Sequence, residues 1–269
     1  PSLSFHSLTD FTMHDRIQQP LAILALLIPL VSALPVHAQQ TTADEFTLTG
    51  SVTGVSQYRL RGVSVSDETP ALQASLTATH KSGFYAGLWG SSLKGFGTYG
   101  GADMELDAIG GYSRALGSAT VDGGLVVYTF PGTHGHTYTE LFASISQPIG
   151  PVNTKFGLNY APKRQSIGNA DHLYTYADLT LPLQDLPMTL KAHLGYTTGP
   201  GSIYAGPAGH YFDYSVGAEF AWRMLNIGLS YVGTSINNAQ ADAFYTVPGG
   251  KRGRSLVDDA FVLSIGVTF

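Results

Sequence analysis

Eleven ionisable side chains carry whatever chemistry this chain does: Arg59, Arg61, Lys155 and Lys191, with Glu105, Asp107, Glu140, Asp178, Asp213, Glu219 and Asp258. Each occupies a polar alternate position of a segment whose other positions are apolar. Spaced singly along many segments, they do not form a nucleophile–base constellation, which needs a Ser, its His and an orienting group together. His80 and His210 sit in no such motif, and His134 and His136 lack a third and fourth ligand nearby, so they read as polar loop residues. Fixed charges lining a passage act differently, by filtering solutes electrostatically. Taken singly, each charge reads as part of an internal ion-pair lattice, because buried charges need partners. Taken together, the set favours a narrow polar passage over a sealed core. Four bases against seven acids sum to −3, which predicts a mild cation preference. No cofactor or metal is called for.

The elements that position these residues are strands. Twelve strand-like segments are expected at 45–61, 70–81, 84–93, 104–115, 119–130, 137–147, 152–161, 171–182, 188–198, 211–223, 226–236 and 256–269, and no window shows helical periodicity. In the last, Phe261, Leu263, Ile265, Val267 and Phe269 alternate with Ala260, Val262, Ser264, Gly266 and Thr268. Successive strand side chains point to opposite faces, so one face is large and apolar and the other small or polar. Around residue 46 the apolar parity is Phe46, Leu48, Val52, Tyr58 and Leu60, and the polar one is Thr47, Thr49, Ser51, Thr53, Gln57, Arg59 and Arg61. An Arg facing lipid costs about 2–4 kcal/mol at the midplane, which directs the polar parity inward.

Connections alternate strictly between long ones, such as RGVSVSDETP and SSLKGFGTYGGAD, and tight ones, such as KSG and RMLN. That rhythm predicts a transmembrane up-and-down antiparallel β-barrel of about 12 strands, with short periplasmic turns and longer extracellular loops. Aromatics near segment ends, Trp222 and Phe269 at the short-turn side and Tyr160, Tyr196 and Phe212 at the other, fit interfacial girdles.

The 269 residues contain no cysteine, so disulfide and thiol chemistry are absent. From Met13 a single Arg16 precedes the apolar run Leu21–Pro35 and the small-residue site Val36-His37-Ala38, the pattern of a cleaved signal peptide. Residues 1–38 are therefore expected to be an upstream segment and signal, and 39–269 the barrel. That part holds 13 basic and 17 acidic residues, a formal charge of −4, which gives no basis for a nucleic-acid partner. The expected partners are outer-membrane lipid and lipopolysaccharide, small solutes, and the barrel-assembly machinery through the terminal Phe269. Lys251-Arg-Gly-Arg254 reads either as a lipopolysaccharide phosphate contact or as a solvated rim cluster.

Ser56-Gln-Tyr-Arg-Leu-Arg-Gly-Val-Ser-Val-Ser-Asp-Glu-Thr-Pro-Ala-Leu-Gln73, then Gly83-Phe-Tyr-Ala-Gly-Leu-Trp-Gly-Ser-Ser92 and Glu105-Leu-Asp-Ala-Ile-Gly-Gly-Tyr112, resembles the TorF-type porin family of Gram-negative outer membranes. The resemblance is strongest in the first third and continues as strand rhythm. It implies an outer-membrane barrel conducting small solutes, with no defined substrate. Within this motif Arg59 and Arg61 are expected to pair with Glu105 and Asp107. Two rivals to a channel remain: a non-conducting barrel acting through its external loops, and an outer-membrane hydrolase.

Overall fold

The computed structural model describes residues 45–99, 101–163, 166, 170–199 and 206–269. The expected export segment lies outside the described residues. Twelve of the described strands close a barrel: β1 (Phe46–Val55), β4 (Ala71–His80), β5 (Phe84–Ser92), β6 (Met104–Leu116), β7 (Ala119–Thr129), β8 (Tyr138–Ile149), β9 (Val152–Ala161), β10 (His172–Pro182), β11 (Met188–Thr198), β12 (His210–Trp222), β13 (Leu225–Thr234) and β14 (Ala260–Thr268). Two short strands, β2 (Arg59–Leu60) and β3 (Val63–Ser64), pair only with each other. Every wall strand is antiparallel to its sequence neighbours, as tight turns require.

The barrel closes where β1 meets both β4, over Phe46↔His80 to Val55↔Ala71, and β14, over Ser51↔Thr268 to Val55↔Ser264. Phe269 seals the seam: its N–H donates to the Gly50 carbonyl at 2.9 Å and its own carbonyl accepts from Gly50 at 2.8 Å. A closed ladder leaves no unpaired strand edge, the condition for a sheet to stand in lipid. The outward parity is the apolar one in every strand, with Leu88, Leu158, Val216, Leu229, Phe261 and Ile265 all exposed.

The first and last segments differ from expectation. β1 stops at Val55 rather than 61, because Ser56 makes the last bonds to the wall, its N–H to the Leu263 carbonyl and its Oγ accepting from Leu263 N. The chain then turns into the bore. β14 begins at Ala260 rather than 256, and the preceding residues form α1 (Asn238–Tyr245) and α2 (Gly253–Val257). Leu256 and Val257 are buried against Ala241 and Tyr245 in a small apolar cluster, and that burial outweighs strand alternation. Asn237 caps α1, its side chain accepting from Ala239 and Gln240 N–H groups. At 8 and 5 residues these helices are too short to print a 3.6-residue period on the sequence.

Candidate functional site

The bore has two unlike halves. Toward the long connections it is filled by residues 56–70, which leave β1, form the β2–β3 hairpin inside the barrel, and return to the wall at Ala71. Val63 to Asp67 are all buried. Two backbone features make the turn. Arg61 adopts φ 50°, and Gly62 follows at φ 82°, where a Cβ would meet the Gly233 carbonyl oxygen at 3.0 Å and the side chain of Thr234. Left-handed Arg61 is strained by on the order of 1–3 kcal/mol, so its surroundings must hold it.

Those surroundings lie on β8 and β10. Arg61 Nη2 donates to both Glu140 oxygens, at 2.9 and 2.7 Å, and Nη1 donates to His172 Nε2 at 2.5 Å. The guanidinium stands 4.3 Å above the Tyr174 ring, and the Arg61 carbonyl accepts from Tyr211 Oη. Glu140 Oε2 also accepts from Tyr128 Oη and Asn159 Nδ2, each at 3.1 Å. The side chains of Arg61 and Glu140 are 8% and 1% exposed, so this is a charge-assisted ion pair out of water, with both bonds from one guanidinium nitrogen.

The expected pairing of Arg59 and Arg61 with Glu105 and Asp107 is thereby corrected. Arg59 instead donates to Gln57 Oε1, to the Gly62 carbonyl and to the Asp258 carbonyl. Glu105 and Asp107 do point inward from β6, but Tyr58 covers them, its hydroxyl against Glu105 and its ring 5.4 Å from that of Trp89. Glu105 Oε1 and Asp107 Oδ1 are buried without a hydrogen-bond partner. Asp258 also departs from expectation: it caps the C-terminus of α2, outside the ladder and exposed, because the helix displaces the strand there.

The other half of the bore, toward the short turns, carries the charges that remain open. Lys155 and Asp178 are cross-strand neighbours, and Lys155 Nζ lies 5.8 Å from the Tyr176 ring centroid. Lys191 pairs with Glu219 at 2.9 Å. His193 bridges Asp178 at 2.6 Å and Asp213 at 3.0 Å, and Asp213 itself is buried beside Tyr174. Gly195 makes room for that tyrosine, whose ring would lie 2.6 Å from a Cβ there.

Two inward residues escaped the sequence reading. Asp122 on β7 accepts from Tyr85 Oη at 2.9 Å, and its strand, with Val126 inward, sorts its faces poorly. His172 shares the parity of Tyr174 and Asp178, a signal that was present. Between the inserted segment and the β12–β13–β14–β1–β4 wall lies a cavity of about 430 Å³, bordered by Gln57, Arg59, Gln73, Trp89, Ser215 and Ser230. The lumen is thus constricted on one side and open along the other.

Above the inserted segment, the last long connection closes down. Lys251 N donates to Asp67 Oδ1 and Lys251 Nζ pairs with Glu68, both at 2.7 Å. Arg254 is bound to Asp242 and holds that carboxyl below its usual range through the side-chain hydrogen bond. Two of the three bases of the Lys251–Arg254 run are therefore already neutralised within the chain.

Residues 39–269 match the bacterial family described as protein of unknown function (Gcw_chp). The chain belongs to this family. Among curated proteins none matches it. Among solved structures it is similar to the NanC porin, with TM-score 0.53 at 14% identity over 82% of this chain and 98% of that one. It is similar also to the KdgM porin solved in complex with disordered oligogalacturonate, with TM-score 0.53 at 7% identity over 83% and 98%. At such identities the likeness is one of fold: a twelve-stranded antiparallel barrel of the kind outer-membrane porins have.

Proposed function

We propose that the mature chain, from about Gln39, is an outer-membrane channel of the TorF type, through which small polar solutes diffuse. The observation that carries this reading is the pairing of an apolar barrel exterior with a polar, partly open lumen. A soluble barrel would bury its large side chains inside, whereas here they stand outside and the charges stand within. Residues 13–38 direct export, and Phe269 presents the closing strand to the assembly machinery. The apolar belt meets membrane lipid and lipopolysaccharide. His193 at the cavity is bonded to Asp178, Asp213 and Tyr174 rather than, among the described residues, to a serine hydroxyl, and this favours passage over catalysis.

The inserted segment revises the selectivity expected from a count of charges. Glu105, Asp107 and Glu140 are covered and do not face a solute, and Asp213, at the cavity's edge, is nearly buried and bonded to His193. With histidine counted as neutral, the uncovered set, Arg59, Lys155 and Lys191 against Asp122, Asp178 and Glu219, is balanced. Planar-bilayer recording of purified residues 39–269 under a KCl gradient is expected to show small currents reversing near zero potential. Strong selectivity for either ion would contradict the assignment of covered and uncovered charges. Silence from the folded barrel, with turnover of ester or phospholipid instead, would replace the channel by a hydrolase.

A further inference from the structure

We propose that residues 56–70 are a displaceable, autoinhibitory plug, a self-contained folded segment that narrows the bore at rest and is latched to the wall by Arg61 on Glu140. The inference rests on the channel reading.

Its independence from the wall is visible in the backbone. Val65 N bonds to the Tyr58 carbonyl and Thr69 N to the Ser66 carbonyl, both at 2.9 Å, and β2 pairs with β3. Outside itself the segment bonds to other connections, through Lys94 N to the Val65 carbonyl and Lys251 N to Asp67, and its backbone meets one wall side chain, Tyr211 Oη on the Arg61 carbonyl. Among the described residues, none of the backbone–backbone bonds of residues 57–69 joins a barrel strand. The segment can leave without breaking a rung of the ladder.

What it holds on to is a small number of side chains. Lys251–Glu68 is exposed, and such pairs contribute little. The buried Arg61–Glu140 pair is different, since removing one partner strands the other charge away from water. Exit also has a favourable side. The resting state keeps Glu105 Oε1 and Asp107 Oδ1 buried without partners, and water entering behind the departing Tyr58 would hydrate both. That gain offsets part of the lost contact of Tyr58 and Val65 with the wall.

The test uses a natural advantage, a chain with no cysteine. Ser64 is fully buried in the plug, so Ser64→Cys should react slowly with a water-soluble thiol reagent. Adding Glu140→Ala is expected to speed labelling about a hundredfold, the population shift that follows from breaking a buried pair. In parallel, conductance is compared for the unaltered chain, Glu140→Ala and a deletion of residues 57–69, each first shown to be a folded barrel by heat-modifiable gel mobility. The deletion should conduct severalfold more and swing toward cations, because it uncovers Glu105, Asp107 and Glu140. Unchanged labelling, or a folded deletion with the conductance and reversal potential of the unaltered chain, overturns the plug while leaving the channel standing. No current from any folded variant overturns both. Should the deletion not fold, the labelling rates alone decide.

Discussion

Replacing Glu140 with Ala is expected to be among the most damaging single changes in the molecule, at about 3–5 kcal/mol. The carboxylate is 1% exposed and accepts four hydrogen bonds from three residues, two of them from Arg61 Nη2 and one each from Tyr128 and Asn159. Its removal leaves a buried guanidinium uncompensated and a left-handed Arg61 without the contact that holds it. Glu140→Gln should cost less, because the amide oxygen still accepts, although one donor–donor clash with Arg61 follows. The double change Arg61→Ala with Glu140→Ala should cost clearly less than the sum of the singles, since the second removal eliminates the stranded charge. Urea unfolding in detergent micelles, with limited proteolysis of residues 56–70 alongside, measures both the loss and its location. A Glu140→Ala effect below about 1 kcal/mol would mean that the pair is solvated after all.

The second large effect belongs to the outer surface. Leu229 and Ser230 are adjacent on β13, one facing lipid and half exposed, the other bordering the cavity. Leu229→Arg should destabilise the barrel in bilayers by about 2–4 kcal/mol, the cost of a midplane cation. Ser230→Arg should leave stability nearly unchanged while reducing conductance, because the new side chain enters water and narrows the passage. Equal stability losses from the two changes would remove the distinction between the faces.

These predictions draw on parts of the molecule that were unequally visible in the sequence. Strand alternation and the rhythm of long and short connections define the barrel, because each wall strand needs one face for lipid and one for the bore. Lys155 beside Asp178, and Lys191 beside Glu219, follow from that parity with no further information. The inserted segment does not. Across Ser56 the dyad pattern runs on unbroken, Gln57, Arg59 and Arg61 continuing the polar parity of Thr53, so local periodicity cannot distinguish a strand that continues from a chain that turns inward. The deciding partner of Arg61 lies 79 residues away on β8, a separation over which spacing carries no signal. The motif resembling TorF-type porins acquires a physical meaning only in three dimensions. Tyr58 meets Trp89 and Glu105, Gly62 permits the turn beside β13, and Ala71 begins the return to the wall.

The same logic explains α2. Leu256 and Val257 read as strand residues by hydropathy, yet the long connection that precedes them supplies Ala241 and Tyr245 as a better apolar surface. Tertiary contact overrides a local preference that is itself weak.

The central claim, a lipid-clad wall around a wetted bore, is tested most directly by single-cysteine scanning of β13 in bilayers, with no native thiol to interfere. A membrane-impermeant thiol reagent is expected to modify cysteines at Asn226, Gly228, Ser230 and Val232 and to spare those at Ile227, Leu229 and Tyr231. Uniform reactivity along the strand, or modification of the second set instead of the first, would contradict it.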